Sequence, residues 1–237
     1  MRLSQQITFL LHRRAYGERS LLVELWTREH GRLPAIARQV RGGSSERSAS
    51  LAPFNRLQAE LSGRGDVMTL TRWEVEGAPM MLRGSVALAG MYVNELLARL
   101  LARGDPNPEL FDHYAMLISS LSAEPRTDWL LRRFEKQLLD QLGYGLNLEQ
   151  SADGRPIEAA GRYLVDLDRG VREIGTEQGY SGAALLALGA IESEQPSSAI
   201  CNEQRKLLRA IFLDLLAGRP LSTWQWSQAL SQASAER

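Results

Sequence analysis

Ser20-Leu21-Leu22-Val23-Glu24-Leu25-Trp26-Thr27, then His30-Gly31-Arg32, then a second apolar run over 33–38, decides the fold class. Two β-rich segments joined by a glycine-containing turn read as a hairpin. Upstream, Ile7-Thr8-Phe9-Leu10-Leu11 is short, apolar and β-rich, and the turn-like Tyr16-Gly17-Glu18 separates it from the second strand. Downstream, residues 39–52 read as a loop around Gly42-Gly43-Ser44-Ser45. A fourth strand over 54–62 has Phe54, Leu57, Ala59 and Leu61 apolar. Gly63-Arg64-Gly65-Asp66 is a tight turn into 67–75, where Val67, Thr69, Thr71 and Trp73 share one face. Five short strands in this span predict a small closed barrel. An OB-fold is the leading option and a half-open sandwich the alternative.

Past residues 77–80 the hydrophobic period becomes helical, which predicts an α+β chain: a barrel over 1–79, then a helical domain over 80–237. Residues 81–103 carry Leu82, Val86, Met91, Val93, Leu96 and Leu97 on a helical stripe. Pro106 and Pro108 stop that helix and prime the next, about 109–122. Asp128 is the expected N-cap of a third helix that runs to Leu142, with Gly143 at the left-handed position beyond it. Residues 145–180 read as an irregular insert with short strand-like pieces such as Tyr163-Leu164-Val165. Ser181 and Ser197 each precede a helical run, to about Ile191 and Ala217, and a last short helix is expected over 223–230.

Composition narrows the function. The 237 residues are 44% hydrophobic and 24% charged, which is ordinary globular usage. No apolar stretch approaches the ~18 residues of a membrane span, and the first residues lack the build of a signal peptide. Cys201 is the single cysteine, so no internal disulfide can form, and a reducing cytoplasm is the expected setting. Motifs for a phosphate loop, a dinucleotide loop, a nucleophile elbow and a zinc site are missing. The three histidines are scattered, and neither a catalytic constellation nor a metal or other cofactor is expected. Asp166 and Asp168 read as a solvated strand face, and Arg64-Gly65-Asp66 as a hairpin turn.

Zero net charge hides an asymmetry. Residues 1–82 hold 12 arginines against 8 acids, and the remainder is acidic by the same margin. The basic residues Arg13, Arg14, Arg19, Arg28, Arg32, Arg38, Arg41 and Arg47 gather in the first strands and the long loop. On a small barrel, strands two and three and their loops form a nucleic-acid groove, where arginine neutralises phosphate and Tyr16 and Trp26 are candidate stacking platforms. The third helix carries a second pattern. Leu131, Phe134, Leu138 and Leu142 line one face, flanked by Arg132, Arg133 and Lys136. That would suit a peptide bearing an aromatic residue and a carboxylate, or would be an ordinary core helix with a wet side. A protein-interaction adaptor whose barrel binds no nucleic acid is the alternative to a nucleic-acid-binding protein.

Several of these segments resemble the RecO family of bacterial DNA recombination and repair mediators. Met91-Tyr92-Val93-Asn94-Glu95-Leu96-Leu97 is similar to its Y-[IVL]-N-E-L-L element. Leu131-Arg132-Arg133-Phe134-Glu135, with Leu142-Gly143-Tyr144-Gly145, is similar to its L-R-x-F-E…L-G-Y-G element. Gly17-Glu18-x-Ser20-Leu21, Gly31-Arg32-Leu33 and Pro53-Phe54 fit its barrel strands. The resemblance implies an OB-fold and a helical domain, binding of single- and double-stranded DNA, and annealing of complementary strands. It further implies action with RecR to help RecA replace the single-stranded DNA-binding protein SSB, as a monomer, on the nucleoid and away from membranes. The arginine cluster and Tyr16 would be the DNA face, and Leu131, Arg132, Arg133, Phe134 and Leu138 would contribute to a pocket for the SSB tail. Two departures stand out. The run Arg38-Gln39-Val40-Arg41-Gly42-Gly43 is thinner in charge than the family's basic loop. The insert also lacks the four cysteines with which many members hold zinc, so it should be kept by packing alone or be loosely ordered.

Overall fold

A computed structural model describes residues 1–40, 45–176 and 178–226, apart from the side chains of residues 45–47. Five strands come first: β1 (Arg2–Tyr16), β2 (Ser20–Thr27), β3 (Gly31–Ala37), β4 (Arg56–Ser62) and β5 (Met68–Val75). They close into a barrel in the order β1-β2-β3-β5-β4. Every pairing is antiparallel except β3 with β5, where Ala35, Ile36 and Ala37 run parallel to Met68, Thr69 and Leu70. This is the closed Greek-key pattern of the OB-fold. Leu10, Val23, Leu25, Ala35, Leu57 and Leu61 fill the interior, all fully buried or nearly so.

Three register shifts explain where the strand pattern is hard to read. The expected first strand covers only the middle of β1, which spans 15 residues. Register shifts between Leu3 and Gln6 and between Leu10 and His12 break its alternation, and its end projects with both faces wet. On β5 the expected face of Val67, Thr69, Thr71 and Trp73 is corrected. Met68, Leu70 and Trp73 point inward, and Val67 and Thr71 are exposed. Leu70 faces Leu61 while Arg72 faces Glu60, so Thr71 is an extra residue and the phase flips there. The connection from β3 to β4 runs over 38–55, longer than the expected 39–52 loop because β4 starts at Arg56 rather than Phe54, and it holds a helical turn, α1 (Ser45–Ser50).

After the barrel come α2 (Gly84–Leu100), α3 (Pro108–Leu121), α4 (Thr127–Gln141), β6 (Arg162–Asp166), β7 (Gly170–Glu173), β8 (Tyr180–Ser181), α5 (Gly182–Gly189) and α6 (Ser198–Leu215). Residues 222–226 are helical as well, and the expected continuation to 230 lies outside the described residues. The chain forms two compact units. One is Met1–Ile118 with the segment from Pro220, the other Ser119–Arg219. In the first, the family-like Asn94-Glu95 pair is structural. Asn94 accepts from the Tyr114 hydroxyl (2.6 Å), and its Nδ2 lies 3.4 Å from the Leu10 carbonyl of β1. Burial works to raise the Glu95 pKa. The Thr223 and Ser222 N–H groups, the Thr223 hydroxyl and Arg99 hold it below its usual range nonetheless. Glu95 thus caps the 222–226 helix.

In the second unit α4 packs on α5 and α6. Ser181 and Ser197 cap α5 and α6 by accepting from Ala184 and Ile200 N–H, and Gly143 follows α4 with φ 83°. The Asp128 cap is corrected. Arg126 occupies the N-cap position without a side-chain cap bond, and Asp128 sits inside the first turn, chelated by Arg126 at 2.9 and 3.2 Å. The carboxylate still serves the helix by facing the positive end of its dipole.

The insert is ordered around a three-stranded antiparallel sheet, β7-β6-β8. Tyr163 is its buried centre, and its hydroxyl accepts from Glu158 N–H at 2.9 Å. Gly182 lies so close to the Glu158 carbonyl and the Tyr163 ring that any Cβ would collide. Among the described residues no three His, Cys, Asp or Glu side chains are grouped to hold a metal, and the one cysteine is buried on α6. The lobe's residues therefore do not fit a four-cysteine zinc site. Tyr163 and close backbone packing hold the place.

Candidate nucleic-acid interface

Register assigns each barrel residue to a face, because cross-strand partners share a side and the side alternates along a strand. Val23 and Ala35 are paired and point inward. Arg13 is opposite Val23, at the barrel rim, and its Nη1 donates to the Ser48 (3.1 Å) and Leu51 (2.7 Å) carbonyls. It ties α1 to the hairpin. The next row, Arg14, Leu22, Ile36 and Thr69, faces outward across four strands. Arg14 is exposed, and Leu22 and Ile36 are half-buried aliphatics. Tyr16 opposite Ser20 continues this face, with Tyr16 52% exposed. The Val40 N–H donates to the Arg19 carbonyl (2.9 Å), which lays the segment carrying exposed Arg38 beside the β1–β2 turn. Among the described residues Arg14, Arg19 and Arg38 form no ion pair.

Arg28 and Arg32 are spoken for. Arg28 chelates Asp112 of α3 at 3.0 and 2.8 Å, and its hydrogen bonds draw that carboxyl below the usual range. Arg32 is half-buried. It donates to the Leu101 carbonyl (3.2 Å) and to Glu24 (3.3 Å), and burial pulls its pKa down. Arg41 and the Arg47 side chain lie outside the described residues.

Trp26 as a stacking platform is corrected. The bulge at Leu11 sets Phe9 opposite Trp26 on the outer face, where α3 covers both. Trp26 is 0% exposed, with edge contacts to Phe111 (5.2 Å) and Tyr114 (5.7 Å). Such pairs add about 0.5–1.5 kcal/mol beyond area burial, so this tryptophan belongs to packing.

On α4 the expected open groove is closed. Phe134 and Leu138 are core residues, 1% and 0% exposed. Arg132 is buried in an ion pair with Glu135 at 2.6 Å. A stripe at i, i+3 and i+7 describes a core face as well as a groove, and the i+3 carboxylate takes up the Arg132 charge. Leu131 is half-buried. Arg133 reaches the surface, binding Glu192 at 2.7 Å and lying 5.8 Å over the Trp129 ring. Asp166 is a turn former: Arg169 and Asp168 N–H groups donate to it and hold its pKa down.

A closed five-stranded barrel of this topology, whose outer face carries exposed arginines without ion pairs among the described residues, half-buried aliphatics and a tyrosine, defines an OB-fold protein. Family comparison agrees with that class. The family model for the N-terminal part of recombination protein O matches residues 1–78, and that for its C-terminal part matches 84–224. The chain is 39% identical over 236 residues to the DNA repair protein RecO of Xanthomonas campestris pv. campestris, covering 96% of this chain and 97% of the relative. It is 41% identical over 235 residues to that of Halorhodospira halophila (95% and 97% covered) and 39% over 218 to that of Pseudomonas aeruginosa (91% of each). The chain belongs to the RecO family of DNA repair and recombination proteins, mediators that are not enzymes.

Proposed function

We propose that this chain mediates recombination by holding single- and double-stranded DNA on the outer face of β1, β2 and β3 and annealing complementary strands there. The observation that carries the reading is the sorting of arginines. Arg14, Arg19 and Arg38 are exposed and free of ion pairs among the described residues around Tyr16, while Arg13, Arg28 and Arg32 are bound internally. Phosphate contact without base readout lets base pairing choose the partner strand. Screening of like charge then eases the approach of a second strand. Leu22 and Ile36 give the bases an apolar floor, and Tyr16 gives one of them a ring to stack on.

The same reading has the protein working with RecR, to help load RecA onto SSB-coated strands in the bacterial cytoplasm at the nucleoid. The acidic SSB tail would dock on α4 where Leu131 and Arg133 reach the surface. Arg132, Phe134 and Leu138 would hold that helix from beneath. Tethering by the tail raises the local concentration of the protein on coated DNA.

The test is annealing of two complementary oligonucleotides precoated with cognate SSB. Faster annealing with the protein than without it supports the reading. Absence of acceleration, together with an affinity for naked single strands that is insensitive to salt, would replace it with a protein-interaction adaptor. Each phosphate contact on a single strand should contribute about −0.7 to the log–log salt slope.

A further inference from the structure

The connection between α2 and α3 is built onto the same face of the barrel. Residues 101–104 run beside the start of β3, beyond the stretch that β5 pairs. Arg32 and Arg103 form a parallel bridge, and the Gly104 N–H donates to the Arg32 carbonyl (3.0 Å). The Arg32 side chain returns the tie to the Leu101 carbonyl. Gly31 makes the approach possible, since with φ 64° it lies so close to the Asp105 backbone that any Cβ would collide. The Gly31-Arg32-Leu33 element therefore exists to seat this added edge.

The added edge brings a charge with it. Glu24 faces outward in the row of His12 and Pro34, next along β2 from the row of Leu22 and Ile36. Its carboxylate is 17% exposed and holds Arg103 Nη2 at 2.7 Å and Arg32 Nη1 at 3.3 Å. The Arg32 side chain is 15% exposed in this arrangement, whereas the Arg103 side chain is 55% exposed. One carboxylate between two arginines leaves a net positive charge, and it is displayed at Arg103. A guanidinium has five N–H donors, so the bond to Glu24 leaves others for a second oxyanion.

We infer that Arg103 is a further phosphate-contacting residue, supplied from outside the barrel strands and positioned by Glu24, which lengthens the path of a single strand across β2 and β3. The inference rests on the outer-face reading above. Ser20 and Glu24 are four residues apart on one strand, about 13 Å at roughly 3.3 Å per residue. A strand stacked at about 3.4 Å per nucleotide crosses that in about four steps.

The experiment measures binding of the full chain to a fluorescent oligothymidylate longer than the roughly 4–16 nucleotides that one OB-fold covers, across a salt series. Arg103→Ala should lose affinity severalfold at low salt and give a log–log slope shallower by about 0.7, the signature of one lost contact. Arg103→Gln keeps the stem and can still donate to Glu24, and it must show the same shallower slope. Arg169→Ala, an exposed arginine in the β6–β7 turn, should match the wild type. A salt-dependent wild type whose affinity and slope are unchanged in both Arg103 variants would overturn this inference and leave the outer-face reading standing. A wild type that binds without salt dependence would overturn both.

Discussion

On the outer face of β1 and β2, Phe9 and Trp26 lie sealed under Phe111 and Tyr114 of α3, whereas Arg14 and Tyr16, past the Leu11 bulge, are exposed and Leu22 opposite Arg14 is half-buried. It is one sheet face with two fates. An aromatic residue and an arginine a few positions apart therefore carry different duties, although residue type alone suggests that both serve the ligand. The second unit repeats the contrast on α4. Phe134, Leu138 and the Arg132–Glu135 pair face its core, and Arg133 faces out. Burial, rather than position in a motif, separates what holds the protein together from what can touch a partner.

The sharpest way to break that division is to swap the expected phenotypes. Trp26→Ala should cost about 3–5 kcal/mol of stability in urea unfolding, and Trp26→Phe much less. A stable Trp26→Ala protein that had simply lost DNA affinity would put Trp26 back on the binding face. Arg132→Ala should destabilise by about 3 kcal/mol or more, because it removes the counter-ion of the buried Glu135 carboxylate. Arg133→Ala should leave the unfolding midpoint nearly unchanged and weaken capture of an SSB-tail peptide. If the two variants behaved alike in both assays, the two sides of α4 would not be distinct.

Smaller effects sharpen the open half. Tyr16→Ala should lower single-strand affinity by the equivalent of about 1–3 kcal/mol, the usual worth of a stacked base, without moving the melting temperature. Among the arginines, Arg14→Ala should reduce the salt slope, whereas Arg28→Ala should not, since Arg28 is chelated by Asp112.

The smallest effect concerns acid. Burial alone would raise the Asp128 pKa, but hydrogen bonds from Arg126, Ser198 and the Trp129 N–H bring it down to about 2. A carboxyl depressed in the folded state stabilises above its unfolded pKa of about 3.9, and that contribution is lost as pH falls from about 4 towards 2. The group is partly solvated, which leaves it worth about 1 kcal/mol after screening. Asp128→Asn should remove this part of the acid sensitivity, as seen in unfolding midpoints compared between pH 6 and pH 3.

Legibility followed the range of the forces involved. β2 is found at the bounds its alternation suggests, and Ser181, Ser197 and Gly143 act at the helix ends where their local chemistry places them. These are signals within a few residues. The misread elements depend on partners far along the chain. The extra residue at Thr71 is visible only once Leu70 and Arg72 are matched to β4. Asp128 is displaced as a cap by an arginine that needs it more closely as a counter-ion. Arg103 has no sequence signal at all, since what marks it is Glu24, 79 positions upstream.

By itself the sequence determined the order of elements, the closed barrel followed by helices, the family and the basic first third, because periodicity, turn chemistry and composition act locally or on average. Only the tertiary structure decided which arginines remain exposed, that Trp26 is sealed, that the α4 stripe is core, and that Tyr163 centres the small sheet of the insert. Each of those outcomes depends on what a distant segment places against a side chain. A buried charge must find its counter-ion and an apolar face its cover before the remaining groups are left for a ligand.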